Sequence, residues 1–337
     1  MNKNEVDFYR CPESGGPLKL EIAEISGNEV VEGKLVNQKN IDFPIENGVP
    51  NFTWPQNLGV FDQTSRAAYN ELAEDYEKFA DIPFRTYRCS EADVRKRMID
   101  QLEISSGDCI LEVGAGDGRA SEIIANRLEG RGRFYIQELS KGFLDKAIQR
   151  LANHSIDIEF SIANASYLPF ADNMFDAAHH FGGINTFDEV ARCLEELARV
   201  VRPGGKVVVG DEGLGPWLRE TEFGQIMSNS NPLLKYEVPF SDIPVSARDV
   251  RVDWIMMGAF FTLEFTVGEG EPQPNYHIKI PSERGGSHWS RYFGVLEGVS
   301  DEAKSLATRA REAKGLSMAD WLEVVVREAA SRDLEGK

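Results

Sequence analysis

The residues best suited to hold a ligand lie in one glycine-rich turn near the middle of the chain. The sequence EVGAGDG at residues 112–118 places Glu112 two positions before the first of three alternate glycines. The apolar run 109–111 before the turn predicts a buried strand, and the apolar residues after it recur at helical spacing. A strand that turns through glycines into a helix presents bare backbone and a positive helix end to a ligand.

The spacing of the glycines indicates which ligand this turn, residues 112–118, is suited to bind. Dinucleotide-binding turns carry glycine at the first, third and sixth positions, where pyrophosphate lies against the helix. Here the sixth position is Arg119, and the Glu112 carboxylate suits a cationic head group instead. S-adenosylmethionine carries both an ammonium group and a sulfonium, so we expect it to be the cofactor. Its predicted contacts in the turn are Glu112, Gly114, Ala115 and Gly116.

An acidic residue at the end of the next predicted strand could hold the ribose of such a cofactor. Glu138 follows the predicted strand 133–137 and lies about twenty residues past Gly116, the offset at which α/β nucleotide folds place an acid. One carboxylate can accept hydrogen bonds from both ribose hydroxyls. We therefore predict cofactor contacts at Glu138 and at Leu139 beside it.

Two adjacent histidines could serve a methyl transfer from that cofactor. Transfer from a sulfonium is an in-line displacement, so alignment and exclusion of water supply much of the rate. A phenol, amine or activated ring carbon must also lose a proton, and histidine is a natural base. His179 and His180 end the predicted strand 175–179, and because side chains alternate, only one should face the cleft. Glu212 and Asp211, after the predicted strand 206–210, are further candidates.

Short apolar runs alternate with helical patterns and position these groups. Each predicted strand is followed by a helix, which indicates a parallel sheet with its ligands at the carboxyl edge. We expect the strand ends to gather the polar residues into one cleft. The strands predicted for this sheet are 109–111, 133–137, 156–162, 175–179 and 206–210.

These motifs, in this order, resemble class I S-adenosylmethionine-dependent methyltransferases over roughly residues 65–212. The segment NASYLPFADNMFD at 164–176 is similar to that family's D-A-x-x-L-P-F-x-D-x-x-F-D signature, and RVVRPGG at 199–205 resembles the ubiquinone/menaquinone-type members. The segment LAEDY at 72–76 resembles the family's segment before the core, whose helix closes over the cofactor. The resemblance implies an enzyme that consumes S-adenosylmethionine and releases S-adenosylhomocysteine, without a metal.

The resemblance also implies roles for individual residues. The family's usual acid for the adenine amino group is replaced by Asn164, whose amide oxygen can still accept that hydrogen bond, with Ala165 beside it. An aromatic face at Tyr76 near the sulfonium would make a cation–π contact. The alignment favours His180 over His179 as the residue that contacts the methionine end of the cofactor or the acceptor.

The predicted fold is α/β, a Rossmann-like, doubly wound seven-stranded sheet with a small N-terminal β module and C-terminal helices. Strands are also expected at 250–267 and 276–280, joined by a hairpin loop at 269–275. The aromatic stretch 216–290 should form the wall of the acceptor pocket. The predicted domains are 1–58 for the β module, 59–290 for the methyltransferase domain (59–102 helical cap, 103–215 cofactor core, 216–290 last strands) and 291–337 for the helical extension.

The N-terminal module resembles a small zinc-ribbon domain found in, or partnering, some methyltransferases. The matching segments are CPES at 11–14, NQKN at 37–40 and FPIENGVP at 43–50. Three ligand positions of the ribbon hold Ser14, Asn37 and Asn40, which leaves only Cys11, and a structural zinc site needs about four ligands. We expect a ribbon-like fold held by packing instead of metal; an unrelated β extension is the alternative.

Composition narrows the class of partner. The formal net charge of −18 should repel nucleic acid, because no basic run offsets it. The four scattered cysteines fit a reducing compartment, and the N-terminus has no apolar leader. No stretch is apolar enough to span a bilayer. We expect a cytoplasmic enzyme whose partner is a small-molecule methyl acceptor, with no nucleic acid and no membrane span.

Three functions remain open at this point. The first is methylation of a small acceptor that is aromatic, quinone-like or a secondary metabolite. The second is an rRNA or tRNA methyltransferase, which the ribbon-like module suggests. The third is a non-catalytic protein that binds the cofactor in the same fold. The sequence assigns neither the acceptor, nor the atom methylated, nor the oligomeric state.

Overall fold

The computed structural model describes residues 1–282, 285–294, 296 and 298–335 of the 337-residue chain. The chain divides into two compact units, Met1–Glu271 and Pro272–Lys337. The domain boundaries expected from the sequence remain predictions.

A seven-stranded sheet forms the centre of the first unit. Its strand order is β10-β11-β9-β8-β5-β6-β7, and only β11 runs against the others. The order reverses between β5 and β8, and α/β sheets bind ligands at such a switch point. This arrangement confirms the predicted fold class. The strands are β5 Cys109–Val113, β6 Arg133–Glu138, β7 Asp157–Ile162, β8 Phe175–Phe181, β9 Val201–Glu212, β10 Ala247–Ile255 and β11 Phe260–Val267.

Helices cover both faces of this sheet, which is why its inner strands are apolar runs. Ile110 of β5 belongs to a cluster with α4 and α5, whereas Leu111 packs with α6 on the other face. The helices of the first unit are α1 Val60–Leu72, α2 Ile82–Thr86, α3 Glu91–Asp100, α4 Arg119–Arg127, α5 Lys141–Leu151, α6 Val190–Val200 and α7 Glu222–Ser230.

The N-terminal module is a four-stranded antiparallel sheet, as expected of a small β module. Its strands are β1 Lys19–Ser26, β2 Glu29–Val36, β3 Asp42–Glu46 and β4 Val49–Pro50.

The module joins the large sheet at β7. Asn51 pairs with Ile162 of β7, and the Phe52 N–H donates to the Ile162 carbonyl at 2.7 Å. Buried Cys11 accepts a hydrogen bond from Asn37 Nδ2 at 3.2 Å. No cluster that could hold a metal ion occurs among the described residues. The ribbon-like origin of the module stays a proposal.

Several local expectations differ from the structure. Helix α1 ends at Leu72, so Tyr76 lies beyond it in the separate 3-10 turn Tyr76–Lys78. Strands β8 and β9 continue past their predicted ends, and therefore His180 and Glu212 lie on strands.

The last two strands of the sheet come from one stretch instead of two. Strands β10 and β11 form a hairpin around Met256–Gly258, where Met257 has φ 58° and Gly258 has φ 82°. Residues 276–280 form no strand, so the expected hairpin loop at 269–275 was wrong. The mostly apolar character of 250–267 concealed the reversal, although only β11 is buried along most of its length.

The second unit is helical in its described part. Ser287 and Ser300 cap the starts of its first two helices with side-chain hydrogen bonds. Its helices are α8 His288–Phe293, α9 Asp301–Ala313 and α10 Met318–Glu335. Across the described ranges, no helix is at once long enough and apolar enough to cross a lipid bilayer.

Candidate active site

A cavity of about 260 Å³ lies along the carboxyl edge of the large sheet. It extends from the end of β7, at Asn164, to the start of β11, at Phe260. Every predicted site residue lines it except Glu112, His179 and Asp211. Those that line it are Tyr76, Gly114, Ala115, Gly116, Glu138, Leu139, Asn164, Ala165, His180 and Glu212.

Glycine is required at two positions of the turn at residues 112–118. Gly114 has φ 61°, and a Cβ there would lie 3.0 Å from the imidazole of His180. Gly118 has φ 83°, and a Cβ there would lie 3.0 Å from the Cα of Ala147. Left-handed backbone and close packing exclude a side chain at both places. The turn therefore exposes main-chain groups to the cavity.

Two side chains at the end of β6 hold the turn in place. Gln137 Oε1 accepts from the Gly114 N–H at 3.2 Å, and Glu138 Oε2 accepts from the Gly116 N–H at 2.8 Å. Glu138 Oε1 accepts from the Ser140 N–H at 2.9 Å. Burial raises the pKa of Glu138, and these N–H donors oppose that shift. Gln137 was not anticipated; its position opposite Val113 in the β5–β6 register was the available signal.

Glu112 and His179 face each other behind the turn. The Glu112 carboxylate accepts from the Ser121 hydroxyl, and its other oxygen lies 3.4 Å from His179 Nδ1. Glu112 is 2 % exposed and His179 is 1 % exposed. The structure therefore places Glu112 in support of the turn, whereas the sequence suggested a direct contact with a cationic group.

His180 faces the cavity as a neutral acceptor. Its Nδ1–H donates to the Val113 carbonyl at 2.7 Å, which leaves Nε2 as a lone-pair acceptor. Nε2 is buried and has no hydrogen-bond partner in the described part of the chain. Burial, with a smaller effect from His179, lowers the pKa of His180 to about 4. A histidine in this state can accept a hydrogen bond but holds a proton poorly at neutral pH.

Helix α1 covers the cavity with one face. Asp62, Ser65, Arg66 and Tyr69 recur at helical spacing and line the cavity.

Residues outside α1 fasten both of its ends. Asp188 accepts from the N–H groups of Phe61 at 3.2 Å and Asp62 at 2.9 Å, and so caps the helix from another element. At the other end, Asn70 Oδ1 accepts from the Ser140 hydroxyl at 2.8 Å and the Gly142 N–H at 3.1 Å.

Asn164 contacts this helix directly. Its Nδ2 donates to Asp62 Oδ2 at 2.9 Å, and its Oδ1 accepts from the Ser166 N–H at 3.0 Å. Asp62 is 5 % exposed, and burial raises the pKa of its carboxyl group. Tyr76 packs edge-on against Phe143, with ring centroids 4.9 Å apart.

The far part of the cavity is apolar. We call the five side chains Phe84, Phe181, Leu233, Met256 and Phe260 the apolar wall. Among them lies Glu212, the last residue of β9.

Asp211 is buried beside the apolar wall and holds the loop that follows β8. It accepts from the N–H groups of Gly183 at 3.1 Å and Asn185 at 2.7 Å. Burial and the neighbouring Glu212 raise the pKa of Asp211 well above its usual range. Asp211 therefore fixes the loop instead of facing the cavity.

Comparison with known proteins agrees with this architecture. Residues 111–209 match the family model described as a methyltransferase domain. A ubiquinone/menaquinone biosynthesis C-methyltransferase of Chromobacterium violaceum is 27% identical over 150 residues, 44% of this chain and 57% of the relative. A demethylmenaquinone methyltransferase of Paenarthrobacter aurescens is 32% identical over 117 residues, 35% of this chain and 44% of the relative. The chain thus spans about half the length of these curated relatives.

Solved structures of similar proteins cover more of the chain at lower identity. Phosphoethanolamine N-methyltransferase 2 of Haemonchus contortus, in complex with S-adenosyl-L-methionine, covers 68% of this chain and 63% of its own, with 13% identity and TM-score 0.48. A SAM-dependent methyltransferase of Aquifex aeolicus covers 51% of this chain and 89% of its own, with 18% identity and TM-score 0.38. Residues 111–209 thus match a methyltransferase domain, and the strand order of the large sheet is that of the predicted α/β fold.

Proposed function

We propose that the protein is an S-adenosylmethionine-dependent methyltransferase that acts on a small aromatic acceptor. The observation that carries the proposal is one cavity bordered by both the glycine turn, residues 112–118, and the apolar wall. Cofactor and acceptor would then share a space closed by helix α1. The relatives that match are named as enzymes of quinone biosynthesis, and this supports an aromatic acceptor.

The residues at the turn fit this cofactor. No side chain at Gly114 or Gly116 blocks the cavity, and the Glu138 carboxylate, which also accepts from the Gly116 and Ser140 N–H groups, keeps further lone pairs for the ribose hydroxyls. His180 Nε2, a buried acceptor without a partner among the described residues, suits the ammonium of the methionine end. Bound there, the cofactor would supply a methyl group on positively charged sulfur. Tyr76 would offer that charge an aromatic face.

The apolar wall suits a flat, apolar methyl acceptor. Glu212 would take the proton that this molecule loses. An oxygen or nitrogen nucleophile must lose a proton as the methyl group is transferred. His180 is a weak base because its pKa is lowered to about 4. Glu212 is a carboxylate on the same wall, and we assign it the role of base. His180 positions the cofactor and helps to exclude water from the reacting atoms.

Calorimetry with S-adenosylhomocysteine tests cofactor binding directly. We expect saturable binding by the wild-type protein and none of a nicotinamide dinucleotide. Gly114→Ala should lose binding, because a Cβ would press on the His180 ring. Gly107→Ala is the matched control, since nothing lies within 4 Å of a Cβ there. Binding of the dinucleotide in place of S-adenosylhomocysteine would refute the proposal.

Turnover is tested with S-adenosylmethionine labelled in its methyl group and extracts of small metabolites. We expect label in an aromatic product. Glu212→Gln should lower kcat by about 100-fold or more if the acceptor is a phenol or an amine, the usual contribution of a general base. S-adenosylhomocysteine affinity should stay unchanged in that variant. Full turnover by Glu212→Gln would show that Glu212 is not the base. Label found only in RNA would contradict a small-molecule methyl acceptor.

A further inference from the structure

We infer that Asp62, on helix α1, receives the adenine amino group of the cofactor in place of an acid at residue 164. The inference rests on the proposed function, because it concerns the same cavity. Asp62 and Asn164 both line that cavity and are joined by a hydrogen bond of 2.9 Å. Helix α1 would then recognise the cofactor as well as cover it.

The orientation of the Asn164 amide is the first step of the argument. Its oxygen accepts from the Ser166 N–H at 3.0 Å, and its nitrogen donates to Asp62 at 2.9 Å. These two partners fix which end of the amide is which. Asn164 therefore turns its donor toward α1 and engages its acceptor with backbone. The hydrogen-bond acceptor that an adenine amino group needs therefore has to come largely from a residue other than Asn164.

The Asp62 carboxylate can supply that acceptor. An ionised carboxylate has about four lone-pair sites and no donor. Two sites are used, on Oδ2 by Asn164 Nδ2 and on Oδ1 by the Asp188 N–H at 3.3 Å. The remaining capacity belongs to a side chain that is 95 % buried yet borders the cavity. Hydrogen bonds to a carboxylate are stronger than those to an amide, so Asp62 is the better partner.

This arrangement also predicts selectivity for the base. A 6-oxo purine presents a carbonyl oxygen where adenine presents an amino group. That oxygen would face the Asp62 carboxylate, and two acceptors repel. The preference for adenine would thus depend on a residue outside the β7 end, where the family places its acid. It would also tie cofactor affinity to the position of α1.

The test compares two ligands, S-adenosylhomocysteine and S-inosylhomocysteine, by calorimetry. The wild-type protein should bind the adenosyl compound at least about 10-fold more tightly, and Asp62→Ala should weaken it by about 10- to 100-fold. S-inosylhomocysteine should bind that variant at least as tightly as it binds wild type, because the repulsion between the Asp62 carboxylate and the 6-oxo oxygen is removed. Gln63→Ala, an exposed neighbour on α1, should change neither.

Two outcomes separate this role from a purely structural one. If Asp62→Ala weakens both ligands equally, Asp62 only anchors the helix, and the inference is wrong. The exchange variant Asp62→Asn with Asn164→Asp restores one carboxylate and one amide, and it should recover most of the adenine preference. Failure of the exchange, in protein whose melting temperature matches wild type, would also overturn the inference. A wild-type protein that binds neither ligand contradicts the proposed function itself.

Discussion

His180 lies where the glycine turn, strand β8 and the cavity meet. Its ring packs beside Gly114, donates to Val113 and is tilted against Phe187 with centroids 5.1 Å apart. Such a histidine must stay neutral, because a proton on Nε2 would be buried without a partner among the described residues. Its contribution to stability therefore depends on pH.

The pH dependence follows from the lowered pKa of His180. Between about pH 6.5 and 4 the unfolded chain binds a proton that the folded chain excludes, so stability falls as pH falls through this window. The shift corresponds to about 3 kcal/mol at its low-pH limit. Urea unfolding at several pH values should show this loss in wild type and a smaller one in His180→Asn. If the free energy of unfolding falls equally with pH in wild type and in His180→Asn, the loss does not come from the protonation of His180.

Most residues that sequence reasoning proposed for the site line the cavity, since strand ends in an α/β fold gather polar side chains. It placed Glu138 and His180 at such ends, and both line the cavity. It could not find Asp62, because a helix that folds over the site from earlier in the chain leaves no local signal. The direct role in binding that it gave Glu112 stays a prediction; in the structure this buried carboxylate accepts from Ser121 and does not line the cavity.

At the scale of elements, helix α1 depends on a cap that it does not itself carry. Gly59 begins the helix without a side-chain bond, and Asp188 supplies both of the hydrogen bonds described above. A Cβ on Gly59 would lie 2.2 Å from the Asp188 carboxylate, so glycine makes room for this cap. The position of α1 over the cavity therefore depends on the segment that follows β8.

Removing that cap should weaken cofactor binding without touching the cofactor. Asp188→Ala should cost about 1 kcal/mol of stability and lower S-adenosylhomocysteine affinity, because α1 loses its attachment. Thr221→Ala is the matched control, since Thr221 caps α7 through the Gly224 N–H at 3.1 Å. That variant should lose similar stability and keep its affinity. Equal affinities in both variants would show that α1 needs no cap to cover the site.

The elements themselves were predicted where a short apolar run is bounded by turns. Strands β5 and β6 satisfy this condition, because both of their faces are buried. The β10–β11 hairpin was missed, since a reversal through Met257 at φ 58° has no glycine or proline at that residue to mark it. Residues 72–76 were assigned to one helix because the apolar spacing continues past Leu72, where α1 ends.

At the scale of the whole molecule, charge bears on the choice of acceptor. The chain carries 55 acidic and 37 basic residues, and its net charge of −18 opposes a polyanion. We expect no complex with transfer RNA in a filter-binding assay at 50 mM salt, where phosphate contacts would be strongest. Saturable binding that weakens steeply at 200 mM salt would reveal a local basic face and favour the RNA alternative.

The junction between the two sheets has a consequence for solubility. Strand β7 is the outermost strand of the large sheet on its side, and an open strand edge invites pairing with another molecule. Asn51 pairs with Ile162, and the Phe52 N–H donates to the Ile162 carbonyl. These contacts cover the edge of β7 at that residue. The N-terminal module thus protects the chain against self-association, whatever its ancestry.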